Sequence, residues 1–202
     1  MNQDKIVISL GWNCHPTSWA LKNGLRHSKS QGYNTCPFDM CVTNYEGILL
    51  CIQEDFKYLT DPNYLVLKKI NETKLSYNKD DIIIYHSRYK FIFNHESPGH
   101  GNLYNIQNWS GGINHFINNN FEKFIEKYNN RVNNFKNYLS NYKNITFVIS
   151  TLKHNIDELK NILGIKYLNT NFDFIILKSP ESKEIIDLNY YLMEIDEDNK
   201  YY

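Results

Sequence analysis

Cys14 stands where a reactive thiol would stand. A short apolar run at residues 5–10 (KIVISL) leads through Gly11, Trp12 and Asn13 into a segment with Pro16 tolerated in a first helical turn and Trp19 and Ala20 opening an apolar face. This places the sulfur at a helix N-terminus. There the unsatisfied N–H groups and the helix dipole favour an anion, so a thiol loses its proton more readily. The same N–H groups can receive the oxyanion of a tetrahedral intermediate, and Asn13 offers a further side-chain donor. A cysteine closing a strand–helix turn can equally be a small buried hydrophobe.

A thiolate nucleophile works with an imidazole that first stabilises it and later protonates the leaving group. The chain has seven histidines. His15 follows Cys14 directly and points about 100° away around the helix. His27, His115 and His154 fall in polar or helix-surface contexts. His86 and His95 end adjacent strand-like runs, and His100 sits in a glycine-rich loop, SPGHGN. His95 is the preferred partner, because a strand end holds a ring rigidly at a sheet edge where ligands collect. A structural role stays open for all three.

A metal is not expected. Cys36 and Cys41 form one short-spaced pair, interrupted by a proline and an apolar box, whereas structural zinc needs two such pairs. Cys51 belongs to an apolar helix face. Neither GxxxxGK[ST] nor GxGxxG occurs, so the common nucleotide-binding motifs are missing and no cofactor is expected.

The elements that would position these residues alternate. After the first strand and helix, which Gly24 stops, Asn44 opens a second helix carrying Ile48, Leu49, Cys51, Ile52 and Phe56 on one face and ending at Asp61-Pro62. The runs YLVL, DIIIYH and YKFIFNH read as strands, the last two as a hairpin. Residues 113–139 carry the longest helical pattern, started afresh at the asparagines 118–120. ITFVIS, a short helix at residues 155–163 ended by Gly164, and FDFIIL complete the pattern. This predicts a single α/β domain spanning 1–202, with a mainly parallel sheet, a central β-hairpin and flanking helices, and a fraying acidic tail at 196–202.

Bulk properties narrow the function classes. Lys+Arg and Asp+Glu both number 22 in 202 residues, so no field of one sign attracts a polyanion, and nucleic acid is not expected as a partner. The sequence contains no apolar run of membrane-spanning length and opens without a secretory leader, which predicts no membrane association, a cytoplasmic location and reduced cysteines.

The stretch SLGWNCHPTSWALKNGLR, followed by CPFDM, resembles the opening of the papain-like cysteine peptidases of the DUF1796 type, known from bacteria and large DNA viruses. Ser9, Leu10, Gly11 and Cys14 match the family's first box, Gly24, Leu25 and Arg26 its helix end, and Pro37, Phe38 and Asp39 its third box, with Met40 in place of the usual tryptophan. FNHES places His95 at the family's histidine, and Arg131 matches a basic position before a strand. The resemblance implies a papain-like or related three-layer fold, a Cys14–His95 dyad, a peptide or other acyl substrate, and the host cytoplasm if the source is viral. It also implies a third residue that orients the imidazole: Asn155 or Asp157 beyond ITFVIS, or Asp39 from the third box. Each has a structural reading as well, as a first-turn or turn residue. Arg26 and Arg131 are either partners for Asp39 or substrate anchors, with His100 a further substrate-side or structural residue.

Three functions are therefore carried forward. The first is a cysteine-dependent hydrolase or acyltransferase. The second is a transferase, sugar-directed in one form, that uses the SLGxxC turn as a ligand loop. The third is a catalytically degenerate module that binds a peptide or partner.

Overall fold

The computed structural model describes residues 5–70, 81–99, 109–151 and 155–177, together with the backbone of 192–193. His100, His154 and the tail 196–202 lie outside the described residues.

The apolar run at the N-terminus forms β1 (Lys5–Ser9), and the helix expected at Cys14 forms α1 (His15–Lys22) with Cys14 as its cap residue. Its end is built by Gly24, whose φ of 67° lets the Gly24 N–H reach the Leu21 carbonyl and the Leu25 N–H reach that of Ala20. Asn44 caps α2 (Tyr45–Gln53) by accepting a hydrogen bond from the Gly47 N–H at 2.7 Å. This helix stops earlier than the apolar pattern suggests. Asp55 and Phe56 take left-handed φ values of 54° and 64°, so Phe56 reaches the core from a turn rather than from the helix face.

Strands β2 (Leu65–Ile70), β3 (Ile82–His86) and β4 (Phe91–Ile92) follow. The hairpin expected from DIIIYH and YKFIFNH is β3–β4, with Tyr85 opposite Ile92. It belongs to an antiparallel sheet of its own, in the order β4-β3-β2-β7, where β7 is Leu192–Met193. Helix α3 (Asn118–Asn141) begins with left-handed residues Asn119, Asn120 and Phe121, the fresh start that the asparagines signalled. Phe124, Tyr128, Arg131, Phe135 and Tyr138 then recur every three to four residues on its buried face. Next come β5 (Asn144–Ser150), α4 (Asp157–Lys166) and β6 (Asn171–Leu177). Gly164 does not end α4, which continues through it to Lys166.

The parallel sheet has the order β1-β5-β6, with Lys5 opposite Asn144 and Asn144 opposite Asn171. Alternation along each strand assigns its two faces. Val7 and Val148 turn toward Ala20 and Trp19 of α1, while Ile8, Ile145, Phe147 and Ile149 turn into the main core with Phe124, Phe135, Leu159 and Leu163 of α3 and α4. That core also takes Ile84, Phe91 and Phe93 of the antiparallel sheet, so both sheets share it. The result is an α/β fold of helices layered on a three-stranded parallel sheet, joined to an antiparallel one. Among the described residues no helix is long and apolar enough to cross a membrane.

Candidate active site

Leaving β1, the chain continues the sheet pairing for two residues: the Leu10 N–H donates to the Val148 carbonyl and the Ser150 N–H to that of Gly11. Gly11 has φ 93°, and a Cβ there would lie 1.9 Å from Thr43 Oγ1, so neither the backbone nor the space admits a side chain. Trp12 turns into a second apolar cluster with Val42, Ile70, Ile83, Tyr85 and Ile92. Asn13 Oδ1 then accepts from the His15 N–H at 2.7 Å, closing a turn around Cys14. His15 is exposed.

Cys14 differs from the other three cysteines. It is half-buried, whereas Cys36, Cys41 and Cys51 are sealed in the core, where burial pushes their thiols up. Cys36 Sγ receives the Tyr33 hydroxyl at 3.5 Å, and Cys41 Sγ points to the Pro37 carbonyl at 3.3 Å. The short-spaced pair thus serves the apolar box that separates it.

His95 lies on a single 3-10 turn, Asn94–Glu96, two residues past the end of β4 rather than on the strand. The turn is pinned from two directions. On one side the Phe93 N–H donates to the Ile84 carbonyl at 2.9 Å, the Ile84 N–H to Ser97 Oγ at 2.8 Å, and Ser97 Oγ to the Phe93 carbonyl at 2.7 Å. On the other, fully buried Glu96 meets three groups of α3: Lys127 Nζ at 2.7 Å, Arg131 at 3.1 Å and the Tyr128 hydroxyl at 3.2 Å. Burial alone would raise the Glu96 carboxyl, but Arg131 and Lys127 outweigh it and hold the group below its ordinary value.

The segments bearing Cys14 and His95 flank the same two residues. The Thr43 N–H donates to the Trp12 carbonyl at 2.6 Å, while Val42 exchanges both backbone hydrogen bonds with Ile92, at 2.8 and 2.9 Å. Trp12 and Ile92 are thus bonded to adjacent residues of the Val42–Thr43 segment, and both join one apolar cluster with Val42.

Asp39 is fully buried and anchors α1. Its Oδ1 takes Arg26 at 2.6 Å and the Thr17 hydroxyl at 3.3 Å, its Oδ2 takes the Cys36 N–H at 2.7 Å, and Arg26 in turn stacks 3.9 Å over the Tyr33 ring. Of the two arginines weighed as partners for Asp39, Arg26 is the one that pairs with it; Arg131 pairs with Glu96, because it rises from the buried face of α3 beneath the His95 turn. Asn155 and Asp157 open α4: Asn155 Oδ1 accepts the Asp157 N–H at 2.8 Å, and exposed Asp157 faces Lys160 at 3.5 Å. They border an open groove of about 540 Å³ with Phe172, Asp173 and Phe174.

His86 is a core residue. Its Nε2 lies 2.9 Å from the Tyr58 carbonyl, its Nδ1 accepts the Tyr89 N–H at 3.1 Å, and its ring stacks on Tyr89 and Tyr64. That pairing fixes the neutral tautomer with the proton on Nε2, and burial lowers the pKa to about 4.

Sequence reasoning passed over Glu96, Lys127, Thr17 and Ser97. One signal for Glu96 was available: Arg131 stands in the apolar stripe Phe124–Tyr128–Phe135, and a buried guanidinium there needs a buried acid. Among the described residues no cluster of three or more His, Cys, Asp or Glu side chains is arranged to hold a metal. No curated protein and no solved structure matches the chain. One family model, described as "Putative papain-like cysteine peptidase (DUF1796)", matches residues 5–177.

Proposed function

Since this chain belongs to the family described as "Putative papain-like cysteine peptidase (DUF1796)", we propose that it is a cysteine-dependent hydrolase in which Cys14 is the nucleophile and His95 its proton-transfer partner. The observation that carries this reading is the contrast among the four thiols. Three are desolvated and pushed up, and the half-buried fourth caps a helix that follows a parallel strand.

In this reading the Cys14 thiolate attacks the carbonyl carbon of an acyl substrate, and the carbonyl π electrons move to oxygen. The imidazolium of His95 gives its proton to the departing group as the tetrahedral centre collapses to a thioester. Water, deprotonated by the same imidazole, then attacks the thioester, and collapse releases the acid and restores the Cys14 thiolate and the His95 imidazolium. The oxyanion donors are restricted by the local geometry. The His15 N–H is already given to Asn13 Oδ1 and Pro16 has none, so neither of these two residues supplies an oxyanion donor.

Limiting iodoacetamide near pH 6 tests the nucleophile. The expected outcome is carboxamidomethylation of Cys14 ahead of Cys36, Cys41 and Cys51, read by peptide mapping of the folded protein. Equal or slower labelling of Cys14 removes the proposal.

A further inference from the structure

The groove beside α4 that Asn155 and Asp157 border is open and shows nothing of what would fill it. The buried carboxylate beside His95 carries more. We infer that Glu96 is the positioning residue of the His95 imidazole, a role that sequence reasoning gave to Asn155, Asp157 or Asp39. The inference rests on the Cys14–His95 reading and deepens it.

The argument starts from the size of the element. A single 3-10 turn has one or two hydrogen bonds of its own and cannot fix a side chain unaided. Here the turn Asn94–Glu96 is held at both ends by groups from other elements. Ser97 Oγ ties its exit to β3, and the carboxylate of Glu96 inserts into α3 between Lys127, Tyr128 and Arg131. The fixed side chain is the immediate neighbour of His95, so a shift of the Glu96 carboxylate would move the imidazole with it. Asn155 and Asp157, by contrast, are engaged at the exposed start of α4, and Asp39 at Thr17, Arg26 and Cys36.

Charge adds to geometry. The groups facing Glu96 are Lys127, Arg131 and Tyr128 from α3, with His95 beside it on its own turn; Cys41, from the box before α2, feels both Glu96 and Arg131. One carboxylate thus stands among two permanent cations and an imidazole. It favours the imidazolium that general-acid catalysis requires, while Lys127 and Arg131 oppose it.

Two substitutions read this balance with opposite signs. Glu96→Gln removes the anion and should lower the His95 titration midpoint, followed by imidazole NMR, by about one pH unit. The inflection in the pH profile of Cys14 alkylation should move with it. Glu96→Gln leaves buried Arg131 and half-buried Lys127 uncompensated, so it is paired with Lys127→Met, which keeps the Glu96–Arg131 pair one to one and should raise the same midpoint. Opposite shifts in the two variants support the inference. Loss of thermal stability in either variant with an unmoved His95 midpoint overturns it, because a purely structural acid would behave that way. His95→Ala separates the two levels. If His95→Ala moves the Cys14 profile and the Glu96 and Lys127 variants do not, the dyad stands and Glu96 is only structural. If His95→Ala leaves the Cys14 profile unchanged, the dyad itself falls, and the positioning role with it.

Discussion

At the scale of single residues, the two histidines that end strand-like runs in the sequence sit in different surroundings: His86 in the core, His95 half-buried on a 3-10 turn. His86 is locked neutral between the Tyr58 carbonyl and the Tyr89 N–H. Its pKa of about 4 against the ordinary 6.5 means that between these values the unfolded chain binds a proton the native state refuses. This contribution to stability is complete above pH 6.5, falls as pH drops from 6.5 toward 4, and amounts to about 3 kcal/mol in all. Urea unfolding at pH 7 and pH 4.5 should show a loss of that order, and the His86 ring resonances should still be those of the neutral form at pH 5. A His86 midpoint near 6.5 would show that the ring is solvated rather than locked. The sequence could place His86 and His95 at strand ends but could not separate them, because the partners that lock His86 come from residues 58 and 89, and the groups that pin the turn bearing His95 bind its neighbour Glu96 from α3.

Among elements, the turn from β1 into α1 was the most legible part of the chain, since every signal in it is local. The apolar run, Gly11, the Asn13 turn, Pro16 and Gly24 all lie within twenty residues and all act where the sequence puts them. What stayed hidden were long-range supports: Thr17 meeting Asp39, and Glu96 meeting helix α3. The hairpin was legible as a hairpin, but its membership of a separate sheet depends on β2 and β7, whose pairing no local pattern encodes. Element ends failed where an unusual backbone intervened, as at Asp55 and Phe56, or where a glycine was tolerated in a helix, as at Gly164. The β1–α1 turn also gives a sharp mutational test. Gly11→Ala demands both a strained left-handed alanine and the displacement of Thr43, and should cost about 2–4 kcal/mol. Thermal or urea denaturation measures it. A cost below about 1 kcal/mol would mean that the turn and Thr43 separate easily.

For the whole molecule, the shared core has a direct thermodynamic implication. Ile8 and Phe147 of the parallel sheet and Ile84, Phe91 and Phe93 of the antiparallel one pack into the same cluster with α3, so neither sheet can keep its inner face dry without the other. Unfolding should therefore be one cooperative transition, with far-UV circular dichroism and tryptophan fluorescence giving the same midpoint. Two separated midpoints would divide the molecule into independent units. The pairing of Lys5 with Asn144 adds a consequence in time. During synthesis β1 is made first, yet its neighbour in the sheet emerges only after most of the chain, and Arg131 of α3 is made only shortly before it. Until then the core that seals Cys36, Cys41 and Cys51 lacks Ile145, Phe147 and Ile149, and the distinction between Cys14 and its three buried counterparts is incomplete. The selectivity of the site is thus a late event in the life of each chain, and an alkylating pulse applied during refolding would date it.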